Sequence, residues 1–154
     1  MNRYMDVDES VADVFNEVVN SRFPVYANLA VKLVFDTKKK VQKGNIVLAS
    51  IEIANEKVRF LTKEETDNGE GVDYILYVDS VAWENANPND RKRMISHELR
   101  HIFIDEKGKL KLIDHDVQDF KAELALNVDD PDWGNKLSML VEAIYNQKED
   151  QNVE

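Results

Sequence analysis

Two rhythms of apolar and polar positions run along this chain. Val11, Val14, Phe15, Val18 and Val19 recur every three or four residues, the spacing of one helix face. With Asp8 and Ser10 as capping candidates, residues 9–21 are predicted to form an amphipathic helix. Phe23-Pro24 ends it. A period of two then takes over: Val31, Leu33 and Phe35 alternate with Lys32 and Asp36, and the β-branched run NIVLASIEI at 45–53 follows a lysine-rich turn. These two segments are expected to be paired strands. Gly69 and Gly71 mark the next loop. The apolar, aromatic segment DYILYVDSVAW at 73–83 suits a third strand running into a short connector.

Helical spacing returns after Asn87, a cap followed by Pro88 at the first helical position and Asp90 in the first turn. Ile95, Leu99 and Ile102 should face the core, while Met94, His97, Glu98 and His101 lie on or beside a different face. The stretch EKGKLKLID is short and alternating, as in a hairpin or an extended return. Val117, Phe120, Leu124 and Val128 suit a further helix. Asp130-Pro131 begins the last one, with Trp133, Leu137, Leu140, Val141 and Ile144 on one stripe. The pattern is α+β without internal repeats: a single domain over residues 1–147 with a small sheet of about three strands, and a disordered acidic tail at 148–154.

Composition narrows the chemistry. At 154 residues, 43% hydrophobic and 32% charged, the chain can bury one proper core. It has no cysteine, so disulfides, thiolate metal sites and cysteine nucleophiles are excluded together, and any metal must sit on nitrogen and oxygen. The formal net charge of −10 argues against direct nucleic-acid binding, which needs a basic face. It leaves open an acidic protein that mimics DNA. Lys38-Lys39-Lys40, followed by the turn signal VQKGN, reads as a solvated hairpin end. DDPD at 129–132 reads as a helix cap, since it lacks calcium-loop spacing. The N-terminal residues lack the apolar core of a signal peptide and no run approaches a membrane span, so a cytoplasmic protein without a membrane partner is expected.

The three histidines, His97, His101 and His115, all fall between Ser96 and Phe120. His97-Glu98-Leu99-Arg100-His101 fits H-E-x-x-H, in which two imidazoles one helical turn apart can share a divalent ion while the neighbouring carboxylate serves as a general base. A catalytic zinc takes three protein ligands and keeps one position open. His115 is the first candidate for the third ligand; Asp116, Asp119 and Glu123 are the carboxylate alternatives, and one of these carboxylates is expected to orient a ligand imidazole. Arg100 points away from both neighbours and reads as a surface ion-pair residue. Tyr74, Tyr77 and Tyr145 are candidate oxyanion donors that no spacing distinguishes.

SHELRHI followed by KGKLKLIDHDVQDF resembles the putative phage metallopeptidase family, which pairs a helical H-E-L-x-H with a nearby H-D-x-x-D-F. The likeness extends to FLT at 60–62, DYILYVDSVAW and Arg91 to Ile95, so it covers about residues 46–135. A more distant likeness is to SprT-like zinc proteases, whose third histidine precedes a phenylalanine by five residues, as His115 precedes Phe120. The resemblance implies a compact zincin-like domain with a sheet over the motif helix, zinc held by His97, His101 and His115, Glu98 as the base, and a protein or peptide substrate in the host cytoplasm of a phage. It also suggests strand 73–79 as an edge that pairs with extended peptide, against the reading of an ordinary core strand. The DNA-linked role of SprT-like enzymes is not carried over, because this chain is acidic. The alternative of another class is a non-catalytic binding protein, an acidic DNA mimic or an inhibitor of a host factor, with a structural metal.

Overall fold

The computed structural model describes residues 2–114, 130 and 132–152. In chain order these form β1 (Tyr4–Asp6), α1 (Glu9–Arg22), a 3-10 turn at Pro24–Tyr26, β2 (Val31–Asp36), β3 (Val41–Gln42), β4 (Asn45–Ile46), β5 (Ala49–Ile53), α2 (Glu56–Leu61), β6 (Tyr74–Asp79), α3 (Ser80–Asn85), α4 (Pro88–Leu99), β7 (Ile102–Ile104), β8 (Leu110–Leu112) and α5 (Trp133–Asn152). The mixed α+β class is the one the two periodicities predict. None of the helices among the described residues is long and apolar enough to cross a membrane.

The main sheet has the order β1-β2-β6-β5. β6 takes the centre, with every residue buried except the half-buried Tyr77. It runs parallel to β2, from Val31 opposite Tyr74 to Asp36 opposite Asp79, and antiparallel to β5. This corrects the expected pairing of residues 31–36 with 45–53, because β6 stands between them. A segment apolar toward both faces gains most from neighbours on both sides and cover above and below, and that gain overrides the short connection through the lysine turn. The 45–53 run also breaks after Ile46: β4 turns back on β3 as a separate two-stranded arm, and only β5 joins the sheet. With β1 added along β2, the sheet has four strands rather than about three.

One face of the sheet carries the main core. Val11, Val18 and Val19 of α1, Leu76 and Val78 of β6, Met94, Ile95 and Leu99 of α4, and Leu137 and Val141 of α5 belong to one buried cluster with Trp83. Trp83 Nε1 donates to Ser10 Oγ at 2.9 Å, which ties α3 to α1. The predicted cap Asp8 accepts the Ser10 N–H at 3.0 Å. The expected short connector after β6 is the helix α3, whose cap is Asp79, accepting from the Ala82 N–H at 2.8 Å. Tyr145 of α5 donates to the other oxygen of Asp79 at 2.6 Å. Leu140, expected on the inner stripe of α5, is exposed, and Tyr145 takes the inward position, because steps of four from Trp133 lead through Leu137 and Val141 to Tyr145.

On the opposite face, Ala54, Val72 and Ile75 form a smaller cluster against α2. The loop before β6 is clamped there: the Val72 N–H donates to Thr62 Oγ1 at 3.0 Å, and Arg59 pairs with Asp73 at 2.9 Å. Gly71, at φ +86°, sits so close to α2 that a Cβ atom would lie 2.1 Å from the Arg59 carbonyl oxygen.

Candidate functional site

Asn87 Oδ1 accepts the Asp90 N–H at 2.8 Å and starts α4 as the sequence predicts. The helix buries Met94, Ile95 and Leu99 and ends at Leu99, inside the H-E-x-x-H motif. The next turn tightens: the Arg100 N–H reaches the Ser96 carbonyl and the His101 N–H the Glu98 carbonyl, both at 3.1 Å. Ile102, expected on the helix, is the buried first residue of β7. His97 is therefore presented by the last turn of α4 and His101 by the turn that follows. The two imidazoles still meet, with ring centroids 5.5 Å apart and planes at 77°. One donor atom from each of His97, Glu98 and His101 lies within 4.8 Å of the others.

The β7–β8 hairpin returns Ile113 to this point. Its N–H donates to the His101 carbonyl at 2.8 Å, and its carbonyl lies 2.6 Å from His101 Nδ1. A carbonyl can only accept, so Nδ1 carries the proton of this hydrogen bond, and in that tautomer Nε2 is the nitrogen with the lone pair. The carboxylates expected to orient a ligand imidazole, Asp116, Asp119 and Glu123, lie outside the described residues; the partner of His101 Nδ1 is a backbone carbonyl. No side-chain motif announces such a group. Its only signal is the spacing of the hairpin around Gly108, which has the left-handed φ of 80°.

Glu98 is 7% exposed. Among the described residues none donates a hydrogen bond to its carboxylate, so its oxygens remain available to a ligand or to water. Burial pushes its pKa up to about 8, opposed by the positive charge of Lys40. The three side chains open on a cleft of about 710 Å³, walled by Ile46 to Leu48, Ala49 to Ile51 of β5, Met94, Leu112, Trp133 and Ser138, with Lys43 and Asp114 as charged members. That volume falls in the range of small-ligand pockets.

The structure brings together His97, Glu98 and His101. His115 and the alternatives Asp116, Asp119 and Glu123 lie outside the described residues. The three tyrosines are engaged away from the cleft: Tyr74 donates to the Lys111 carbonyl, Tyr77 to Glu52 and Tyr145 to Asp79. The Arg100 guanidinium lies 4.7 Å from the centre of the Phe23 ring. Strand 73–79 is interior; the edge beside the cleft is β5, whose sequence pattern announces a strand but not an edge along a site.

Two imidazoles and a carboxylate converging in this way, with one ring already committed to the right tautomer, form a nitrogen and oxygen donor set suited to a divalent transition metal. Such a domain is a candidate metalloprotein. Comparison with protein families is more specific: residues 3–146 match the model of the putative phage metallopeptidases, and the chain belongs to that family. The match extends well beyond the segment whose motifs carry the resemblance, taking in β1 and most of α5. No curated protein and no solved structure matches the chain.

Proposed function

We propose that this protein is a zinc-dependent peptidase in which His97, His101 and His115 hold the metal and Glu98 is the general base. The observation that carries this reading is the convergence of two imidazoles beside a buried carboxylate free of hydrogen-bonded partners among the described residues, at the wall of an open cleft. A bound zinc would supply Lewis acidity toward a peptide carbonyl and acidify water near it. The Glu98 carboxylate takes a proton from the attacking water and delivers it to the departing nitrogen. The Ile113 carbonyl keeps the His101 proton on Nδ1, so Nε2 is the nitrogen that would hold the metal. β5, the edge strand along the cleft among the described residues, has an outer ladder that no described strand pairs, on which an extended peptide can lie.

The test has two parts. Protein purified without chelator should contain about one zinc per chain, and His97→Ala, His101→Ala and His115→Ala should each lose it. Glu98→Gln should keep the zinc and lower peptide turnover by roughly 10²-fold or more, read by mass spectrometry of peptides cleaved from a host lysate. Full zinc retention in His115→Ala would move the third ligand to Asp116, Asp119 or Glu123. Absence of metal after zinc is supplied, or equal cleavage by wild type and Glu98→Gln, would overturn the reading.

A further inference from the structure

The arm formed by β3 and β4 carries a charge opposite to that of the rest of the molecule. The whole chain has 30 acidic residues against 20 basic ones, yet residues 38–43 read KKKVQK, four lysines without an acid. The arm closes through a two-residue turn at Lys43-Gly44, with φ of 53° and 79°, the left-handed pair of a type I′ hairpin. That turn aims the arm along the cleft. Gln42, Lys43 and Asn45 line it together with His97 and Glu98, while Ile46 is buried and anchors the base of the arm. The Val47 N–H donates to the Lys40 carbonyl at 2.8 Å, which fixes the backbone of Lys40 beside the cleft wall. Lys40 itself borders the recess containing Asp36 and Asp79. Those two carboxylates are already engaged, Asp36 by Arg3 and Asp79 by Tyr145.

Among the described residues, none of Lys38, Lys39, Lys40 and Lys43 makes an ion pair. Lys38, Lys40 and Lys43 are exposed. Among the described residues, the acid lining the cleft besides Glu98 is Asp114, just beyond β8. The lysine arm and Asp114 therefore give the cleft a polarity, cationic on the arm side and anionic on the β8 side.

We propose that the β3–β4 arm selects substrate: the cleft takes an extended peptide whose aspartate or glutamate side chains, on the arm side of the scissile bond, pair with Lys40 and Lys43. This deepens the peptidase reading and rests on it. A nucleic acid is the less suitable polyanion, because phosphates beyond the arm would meet the field of a chain with net charge −10, and the four lysines form a short patch rather than a stripe.

The probes are fluorescent ten-residue peptides, one with a Glu-Asp flank, one with a Lys-Lys flank and one neutral, and a single-stranded oligonucleotide of similar length. Binding is measured by anisotropy to zinc-loaded Glu98→Gln protein, so that no turnover intrudes. The acidic peptide should bind tightest and weaken as salt rises from about 50 to about 500 mM, the range over which exposed charges become screened. An exposed ion pair changes a binding constant roughly two- to fivefold, so Lys40→Gln with Lys43→Gln should cut the preference for the acidic over the neutral peptide about tenfold. The arm is exposed at both positions, and an unchanged circular-dichroism melt of the double variant identifies the loss as one of charge. Equal affinity for acidic and neutral peptides, a preference unaltered by the double variant, or tighter binding of the oligonucleotide would overturn the proposal. Failure of the peptidase reading would look different: peptide bound with the acidic preference but left uncut by wild-type, zinc-loaded protein.

Discussion

Replacing Glu98 with glutamine should make the metal-free protein more stable toward pH 8 and less so toward pH 4.5, with a dependence on pH that follows from the burial of the carboxylate. The carboxylate is buried without a hydrogen-bonded partner among the described residues, and its pKa rises from the ordinary 4.5 to about 8 through desolvation. A raised folded-state pKa means that the folded chain holds this proton more tightly than the unfolded one. Below pH 4.5 both states are protonated and the carboxylate costs nothing. From there to about pH 8 the folded state loses ground at about 1.36 kcal/mol per pH unit, to a ceiling of about 5 kcal/mol. A small domain has only about 5–15 kcal/mol in total, so this is a large fraction of the whole. Glutamine cannot ionise; its amide adds a desolvation cost of about 1–3 kcal/mol that does not vary with pH. The assay is urea unfolding of chelator-treated wild type and Glu98→Gln at steps between those two pH values. The difference between them should tilt toward the variant as pH rises. A constant offset over that range would refute the argument, since it would mean that Glu98 is as well solvated when folded as when unfolded. A positive charge at the donor set would relieve the penalty that burial imposes on Glu98, which is what the proposed pairing of this carboxylate with a divalent cation requires.

Two further predictions concern the scaffold. Tyr145→Phe removes one of the donors to the buried Asp79, whose pKa burial already raises; it should cost about 2 kcal/mol near neutral pH and progressively less as the pH falls and Asp79 takes up a proton, measured by the same unfolding titration. Gly71→Ala forces a Cβ against the Arg59 carbonyl at a left-handed backbone angle and should cost about 3 kcal/mol; a melting temperature within a degree of wild type would show that the loop and α2 can part without loss.

Local features were the legible ones. Asp8 and Asn87 cap the helices that their side chains announce, the spacing of His97 and His101 puts their rings together, and Gly108 turns the hairpin that follows. What the sequence concealed depends on partners far along the chain. Nothing near Val31 says that its neighbour is Tyr74 rather than the strand across the lysine turn, because the decision rests on which segment gains most from the centre of the sheet. β1 is three exposed residues whose place comes from backbone pairing with β2, so no apolar pattern marks it. The periodicity of α4 continues to Ile102, yet the chain leaves the helix after Leu99 and uses Ile102 to begin a strand; the buried position is the same and the element differs. The group that orients His101 is a backbone carbonyl, identical in every residue type and therefore invisible to a motif. Lys38 to Lys40, read as a hairpin end, lie between β2 and β3 at the base of the arm, whose turn is Lys43-Gly44, and no residue within the run tells that the arm borders the cleft.

The break of the 45–53 run into two pieces has a consequence for how such a protein can change over generations. Because β3 and β4 pair, among the described residues, only with each other, the sheet keeps its register whatever is written at the tip between them. Lengthening the Lys43-Gly44 turn would add mainly loop-closure entropy, about 0.6 kcal/mol for each doubling, provided Ile46 stays at the base. The tip can therefore drift, acquire or lose charges and grow while the donor set, held by α4 and the β7–β8 hairpin, stays in place. A handful of codons is enough to retune the rim of the cleft without rebuilding the domain that holds it.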